Sequence, residues 1–374
     1  MSAFDVAVVG VGGIGSAVLA ECVRRGVTAI GVDRYEPPHA QGSSHGRTRL
    51  FRKAYFEDER YIPLLHRAEE LWLRLERETS QSIFRRTGLL MAGPRTSALV
   101  ARSFAAAQQH GLPTERLDAR ETSERFPAVR MRDDEIAIFE AAAGVLDPEK
   151  GTRAHLAIAQ RGEFRFGSAM KNWTRHGDEV RLALENGEEI CARHLVLTLG
   201  PWFAGEMQKL GVAIRVQRNV QAWFAPTNAQ FRHPQFPAFL VDRPELPAAF
   251  YGFPDFGEGV KAAFHGHGEI VSPDQINRAI DRAADIAPLQ SALESWMPGA
   301  GAQFREASAC MYSLTPDEHF VIDRHPENAR VILCGGFSGH GYKFAPVIGE
   351  IALELALDGR SRHDIEFLSA RRFA

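Results

Sequence analysis

The sequence predicts an α/β fold of two domains, and three observations lead to this prediction. First, 374 residues with 45% hydrophobic content exceed the size at which a single core usually stops growing. Second, the chain opens with a β-branched run, a glycine-rich turn, a helical stretch and a second β-rich run. Third, short strands follow from about residue 163, and residues 215–265 are rich in aromatic residues and prolines. We therefore expect a first domain of strands alternating with helices and a second α+β domain built on an antiparallel sheet.

The opening βαβ unit carries the G-x-G-x-x-G spacing of a Rossmann-type dinucleotide-binding turn at Gly10, Gly12 and Gly15. Gly10 permits the tight turn, Gly12 lets a pyrophosphate approach the backbone, and Gly15 lets the helix pack close to the strand. Asp33 ends the second strand, where its carboxylate can accept hydrogen bonds from ribose hydroxyls. Arg34 can indicate a 2′-phosphate, but beside an intact acid we expect it to lie along the adenosine. The alternative is an ordinary glycine-rich turn.

The order of the remaining elements predicts a cofactor domain that is interrupted by a substrate domain. Apolar periodicity predicts helices over residues 60–78, 97–111, 274–297 and 344–358. We expect the dinucleotide-binding domain to comprise residues 1–84, 145–214 and 311–374. The substrate domain is expected to comprise residues 85–144 and 215–310.

Composition excludes several classes of protein. The net charge is −3 without a long run of either sign, which argues against a nucleic-acid or anionic-membrane partner. The four cysteines are widely spaced, so neither a disulfide framework nor a zinc site is expected, and we predict no bound metal. The N-terminus lacks a basic segment before its apolar run, and glycines interrupt that run, so we expect a cytoplasmic protein with reduced thiols.

Five blocks, taken in order, resemble one family. Besides the opening βαβ unit they are "PPHAQGSSHGRTRLFRKAY" (37–55), "FYGFPDFGEGVKAAFH" (250–265), "ACMYSLTPDEHFVID" (309–323) and "GGFSGHGYKFAPVIGE" (335–350). Together they are similar to the monomeric sarcosine oxidase and N-methyltryptophan oxidase group of D-amino-acid-oxidase-like flavoproteins. The resemblance covers essentially the whole chain and implies a monomer that binds FAD, an amino acid substrate and molecular oxygen.

In that family a cysteine sulfur is bonded to the 8α-methyl group of FAD, and Cys310 is the matching position. A thiolate adds readily to that electrophilic carbon, and the bond prevents loss of the flavin. By itself, a lone cysteine in a strand is more often a small buried hydrophobe.

The resemblance also implies the catalytic residues. Arg52 and Lys343 match a pair that holds the substrate carboxylate, which an arginine can bind through two parallel hydrogen bonds. Tyr251 and His265 match residues that line the substrate cavity, and Lys261 matches the lysine that activates oxygen.

His45 and Arg49 are expected along another edge of the flavin. Composition alone would make the basic stretch around Arg52 a solvated surface loop.

A larger set of positions is expected to contact the cofactor. These residues are Gly10, Gly12, Gly13, Ile14, Gly15, Asp33, Arg34, Ser43, Ser44, Arg49, Gly200, Trp202, Cys310, Met311, Phe337, Gly339, His340, Gly341, Tyr342 and Lys343.

The implied activity is oxidation of an N-methyl or other secondary amino acid to an imine, which gives formaldehyde, the demethylated amino acid and hydrogen peroxide. The alternatives are an oxidase of a cyclic imino acid or a fructosyl amino acid, a dehydrogenase with another electron acceptor, and a flavin- or nucleotide-binding regulatory protein. The chain departs from the family at Arg47 and Ser44, which add positive charge and predict a more acidic substrate. Leu240 lies near a position that shapes substrate fit.

Overall fold

The computed structural model describes residues 4–373. The strands, numbered in chain order, are β1 (Phe4–Val9), β2 (Ala29–Asp33), β3 (Arg49–Phe51), β4 (Phe84–Arg86), β5 (Leu89–Pro94), β6 (Thr114–Asp118), β7 (Glu135–Glu140), β8 (Gly144–Leu146), β9 (Glu163–Phe166), β10 (Met170–His176), β11 (Glu179–Leu184), β12 (Glu189–Leu197), β13 (Arg215–Ala225), β14 (Ala238–Val241), β15 (Phe250–Phe253), β16 (Val260–Phe264), β17 (Gln303–Leu314), β18 (Val321–His325) and β19 (Asn328–Gly335). The α-helices are α1 (Gly13–Arg24), α2 (Ile62–Thr79), α3 (Ala98–Gln109), α4 (Ala119–Arg125), α5 (Pro148–Ile158), α6 (Phe203–Lys209), α7 (Ala287–Trp296) and α8 (Ala345–Leu357).

The first large sheet has β1 at its centre. Its order is β10-β11-β12-β1-β2-β9, with β19 also paired to β12 and β18 paired to β19. The five strands β9, β2, β1, β12 and β19 run parallel, whereas β10, β11 and β18 join antiparallel. The last four residues of β1 are fully buried, as expected for a parallel strand that is covered on both faces. Helix α1 packs against α5 and α8.

The second large sheet has the order β17-β13-β16-β15-β14-β5-β7-β6 and is antiparallel except where β14 meets β5. Phe224, Phe239 and Phe250 lie in this sheet and belong to one buried aromatic cluster with Phe236 and with Trp296 of α7. A third, small sheet has the order β3-β8-β4. The predicted fold class is confirmed, with a mixed rather than wholly antiparallel second sheet.

The predicted helix over residues 274–297 is wrong in its first part. Residues 274–281 are irregular and mostly exposed, a π-helical turn covers Arg282–Ile286, and α7 follows. The side chain of Asp281 accepts hydrogen bonds from two backbone N–H groups of that turn, so the helical segment begins there. No helix within residues 4–373 has both the length and the apolar composition needed to span a bilayer.

We propose that the two large sheets are the centres of the two domains. The predicted boundaries after residues 84, 144 and 310 each fall inside a strand: β4, β8 and β17, respectively. Because β17 pairs with β13 along its whole length to Leu314, its last residues belong to the second sheet. We therefore propose that this boundary lies at the end of β17.

Candidate active site

A cavity of about 400 Å³ extends from the N-terminus of α1 to β13 and β17. It is lined by most of the residues that the sequence singled out. These are Gly10, Gly12, Gly13, Ile14, Asp33, Arg34, Ser43, Ser44, Arg49, Arg52, Gly200, Trp202, Tyr251, His265, Cys310, Met311, Phe337, Gly339, His340, Gly341, Tyr342 and Lys343. Three expected residues, Gly15, His45 and Lys261, do not line it.

The glycine turn has the geometry that its spacing predicts. Gly10 has φ +90°, and a Cβ atom there would lie 2.2 Å from the carbonyl oxygen of Thr198 on the neighbouring strand. A Cβ on Gly15 would lie 1.9 Å from the carbonyl oxygen of Gly10, so this residue serves helix–strand packing and does not face the cavity. At Gly12 the nearest atom to such a Cβ is 3.8 Å away, which leaves the backbone open to an approaching ligand.

The acid at the end of β2 is tied to the turn. Asp33 accepts a hydrogen bond from the backbone N–H of Val11 at 2.6 Å and another from that of Tyr35 at 2.9 Å. Arg34 donates to Asp274 at 2.7 Å and lies over the ring of Trp202. Because Asp274 already pairs with this guanidinium, Arg34 is not a free cation for a 2′-phosphate.

Cys310 lies near the C-terminal end of β17, is 5% exposed and faces the cavity. Its sulfur is 3.7 Å from the carbonyl oxygen of Ser43, whose hydroxyl donates to the carbonyl oxygen of Met311 at 2.7 Å. Arg49 donates to that same Ser43 carbonyl at 2.6 Å. The loop that follows β2 is thereby fastened to the strand that carries the cysteine.

Arg52 reaches the cavity with a partner that the sequence did not reveal. Arg52 is 3% exposed, and its guanidinium donates to both carboxylate oxygens of Glu57, at 2.6 and 2.7 Å. Burial opposes ionisation of Glu57, but the charge of Arg52 and neighbouring cations outweigh it and hold the pKa of Glu57 at about 2. Any ligand carboxylate in this cavity therefore meets an arginine that already holds a carboxylate.

Lys343 lies in a short 3₁₀ turn, Tyr342–Phe344, directly before α8. Its Nζ donates to the carbonyl oxygen of His340 at 2.7 Å. Burial and, after it, the charge of Arg52 lower the pKa of Lys343 to about 7. The indole N–H of Trp72 donates to the carbonyl oxygen of Lys343 at 2.8 Å and fixes this turn against α2.

An aromatic group forms another wall of the cavity. The hydroxyl oxygens of Tyr251 and Tyr312 are 3.3 Å apart, and the ring of His265 lies about 6 Å from both rings. Burial lowers the pKa of His265 to about 4, so the imidazole is neutral at physiological pH. Leu240 also lines the cavity.

Lys261 is buried behind this cavity, on β16. Its Nζ donates to the carbonyl oxygens of Gly46 and Thr48 at 2.5 and 3.2 Å. Burial and, after it, the charge of Arg49 lower the pKa of Lys261 well below its usual value. The lysine thus contacts the same loop, between β2 and β3, that bonds to the strand of Cys310.

His45 and Arg47 belong to a second cavity of about 320 Å³. His45 is buried, its Nε2 has no protein partner, and burial followed by the charge of Arg49 lowers its pKa to about 3. Arg47 pairs with Glu258 at 2.9 Å and with Glu306. The expectation that Arg47 adds free charge at the cofactor entrance is therefore wrong, because two carboxylates neutralise it outside the first cavity.

Sequence reasoning missed four residues of this region: Tyr55, Glu57, Asp274 and Tyr312. Glu57 and Tyr55 stand within five residues of Arg52, where an acid and an aromatic residue could have been considered as its partners. Asp274 is 240 residues from Arg34, and no sequence pattern joins them. Within residues 4–373, no group of His, Cys, Asp and Glu side chains is arranged to hold a metal ion.

The profile of one protein family, described as FAD dependent oxidoreductase, matches residues 5–355. Monomeric sarcosine oxidase of Bacillus sp. (strain B-0618) is 38% identical over 99% of this chain and 96% of its own length. N-methyl-L-tryptophan oxidase of Salmonella dublin is 35% identical over 99% of both chains.

Solved structures show the same fold. NikD, an unusual amino acid oxidase essential for nikkomycin biosynthesis, superposes with a TM-score of 0.86 at 22% identity, over 99% of this chain and 98% of its own. L-proline dehydrogenase from P. horikoshii superposes with a TM-score of 0.85 at 20% identity, over 100% of this chain and 98% of its own. Since the sequence matches extend over nearly the whole chain, the protein belongs to the FAD dependent oxidoreductase family.

Proposed function

We propose that the protein oxidises N-methyl or other secondary amino acids and releases the demethylated amino acid, formaldehyde and hydrogen peroxide. The observation that carries this proposal is the meeting of Arg52 and Lys343, 291 positions apart in the chain (343 − 52), around one side chain. The guanidinium carbon of Arg52 lies 4.5 Å from the ring centre of Tyr55, and Nζ of Lys343 lies 5.1 Å from it. Two cations in a cavity that is also lined by Tyr251, Tyr312 and His265 suit a carboxylate attached to an amine.

The residues present fit FAD. The glycine turn offers backbone N–H groups and the N-terminus of α1 to a diphosphate, Asp33 suits the ribose, and the cavity continues past Cys310 to Tyr342. When bound, FAD accepts a hydride equivalent from a substrate C–H bond and passes the electrons to oxygen. The glycine turn and Gly339 to Lys343 would hold the two ends of this cofactor.

We call Arg52 and Lys343 together the carboxylate clamp. Side chains around this clamp would orient the substrate. With the carboxylate held by Arg52 and Lys343, the amine is directed toward Tyr251, Tyr312 and His265. A neutral imidazole can accept a hydrogen bond from that amine. Burial and the nearby positive charges of Arg52 and Lys343 favour the deprotonated amine, from which a hydride is most easily lost. Burial keeps water away from this wall and strengthens each of these interactions.

Lys261 would act in the reduction of molecular oxygen. Its buried amine holds a proton less firmly than an ordinary lysine does, and a negative charge that develops nearby raises its pKa again. The lysine can then stabilise that charge as oxygen is reduced.

We further propose that Cys310 carries the flavin covalently. Its position on the cavity wall, next to the carbonyl group of Ser43, supports this proposal. Acid precipitation tests it: a yellow pellet that becomes colourless in Cys310→Ala supports the bond, and flavin in the wild-type supernatant excludes it.

A panel of amines tests the substrate class. Sarcosine, N-methyltryptophan, pipecolate and fructosyl-glycine are added to the holoenzyme, and peroxide is measured under air. Faster turnover of the N-methyl amino acids supports the proposal. Faster turnover of pipecolate or fructosyl-glycine supports one of the alternative oxidases, and anaerobic bleaching without peroxide formation in air identifies a dehydrogenase.

The acceptor, assembly and location are also proposals. We propose molecular oxygen as acceptor, on the position of Lys261, and a monomer in the cytoplasm with reduced thiols. Cys22 and Cys334 are buried free thiols, which agrees with a reducing compartment.

A further inference from the structure

Tyr55 contacts both cations of the proposed carboxylate clamp, Arg52 and Lys343. The side chain is 1% exposed. The guanidinium of Arg52 lies over its ring, and Nζ of Lys343 is 3.5 Å from its hydroxyl oxygen. One rigid side chain thus contacts both groups that are proposed to hold the substrate carboxylate.

The hydroxyl of Tyr55 has a fixed direction. Nε2 of His340 lies 3.1 Å from the carbonyl oxygen of Glu318, which can only accept, so Nε2 carries the ring hydrogen. Burial lowers the pKa of His340 to about 3, and in this neutral ring Nδ1 is an acceptor. The Tyr55 hydroxyl, 2.6 Å from Nδ1, therefore donates to His340 and turns its lone pairs toward Lys343.

The ammonium of Lys343 is held from two sides as a result. It donates to the carbonyl oxygen of His340 at 2.7 Å and faces the oxygen of Tyr55. An ammonium group has three hydrogens, so one remains for a ligand in the cavity. The other charged groups near it are Arg52 and Glu57.

The ring of Tyr55 is itself fixed. It packs edge-on against Tyr61 and Phe344, with ring centres 5.5 and 5.7 Å away, and against His340 at 5.8 Å. A ring held on three sides cannot rotate to follow either cation. The ring and its hydroxyl therefore offer each cation a contact point that does not move.

We propose that Tyr55 is a positioning residue that sets the spacing of Arg52 and Lys343, so that one carboxylate can bridge them. This inference rests on the proposed carboxylate clamp.

The test uses the flavin-loaded protein and propionate, a carboxylate without an amine, whose binding is followed by the change in flavin absorbance. Tyr55→Phe keeps the ring under Arg52 and removes the hydroxyl beside Lys343. We expect its Kd for propionate to rise about tenfold, because a hydrogen bond to a charged group is lost. Tyr55→Leu also removes the ring and should raise the Kd further.

Tyr61→Phe is the matched control. Tyr61 is a buried tyrosine in the same aromatic cluster, but its hydroxyl contacts His319 and the backbone of Phe320. Its Kd for propionate should stay within about twofold of the wild-type value. Equal losses in Tyr55→Phe and Tyr61→Phe would show a general packing effect and overturn the proposal.

A double mutant separates the positioning role from a direct one. In a Lys343→Gln background, Tyr55→Phe should cause no further loss, because the hydroxyl acts through the lysine. A tenfold loss in that background overturns the proposal. If Lys343→Gln alone leaves propionate binding unchanged, the clamp itself is wrong and the inference falls with it, which is a distinct outcome.

A second variant covers the case in which Tyr55→Phe does not retain flavin. His340→Phe removes the acceptor that directs the Tyr55 hydroxyl while Lys343 remains. It should weaken propionate binding in the same direction, and an unchanged Kd contradicts the orientation argument.

Discussion

Glu57 should compete with the substrate for Arg52, and Glu57→Gln tests this. The two groups are buried and joined by hydrogen bonds of 2.6 and 2.7 Å. Opposite charges with centres about 4 Å apart attract by about 4 kcal/mol at an effective dielectric constant of 20. A ligand carboxylate must compete with Glu57 for Arg52. Removal of the Glu57 charge should therefore make ligand binding more favourable by about 1.4–2.8 kcal/mol, which corresponds to a 10- to 100-fold lower Kd for the ligand.

The assay is propionate binding to the flavin-loaded protein at pH 6. Lys343 of the wild type is mostly protonated at this pH, because its pKa is about 7. The charge of Glu57 raises that pKa, so its removal lowers the pKa of Lys343 and offsets part of the gain in affinity. The melting temperature should fall in the same variant, because Arg52 stays buried with a neutral partner.

Glu69→Gln is the matched control. Glu69 pairs with Lys53 at 2.7 Å at similar burial but does not line the cavity. We expect it to lose stability without any gain in propionate affinity. If Glu57→Gln binds propionate more weakly than the wild type, Glu57 orients Arg52 for the ligand, and the reasoning on competition is refuted.

Three further predictions concern the clamp, the oxygen site and the glycine turn. The Kd for propionate should be lowest near pH 6, where the ligand is still ionised, and rise above about pH 7 by up to about tenfold per pH unit, because Lys343 loses its proton in the free protein while the carboxylate favours the charged form; an equal rise in Lys343→Gln would refute this. Lys261→Met should slow flavin reoxidation by oxygen at least about tenfold more than anaerobic reduction by substrate, measured in a stopped-flow instrument, and equal slowing of both would exclude the oxygen role. Gly15→Ala should abolish flavin loading, since its Cβ would lie 1.9 Å from the carbonyl oxygen of Gly10, and a normal flavin-to-protein absorbance ratio would contradict the packing argument.

Local pattern was sufficient for the cofactor end of the site. The glycines and Asp33 all lie within one βαβ unit of the chain, so their spacing was enough to predict the turn, although Thr198 of a distant segment also packs against Gly10. Sequence blocks also named Arg52, Lys343, Tyr251 and His265, and these do line one cavity. Their proposed roles remain predictions.

The charge environment of the site could not be read from the chain. Arg47 was expected to add charge at the cofactor entrance, but Glu258 and Glu306 neutralise it, and both are more than 200 positions away. Arg34 meets Asp274 for the same reason. A pairing of this kind depends on how the two sheets pack, and composition gives no signal of it.

The sequence by itself determined the α/β class, the dinucleotide turn and the residue types available for binding, because these depend on periodicity and short spacing along the chain. Only the tertiary structure decided that Glu57 already pairs with Arg52 and that Tyr55 contacts both Arg52 and Lys343. Burial of that group, which lowers the pKa of Lys343 to about 7, is likewise a property of the folded chain. Distances and desolvation arise from packing between segments that are remote in sequence, and they decide which charges are free to meet a ligand.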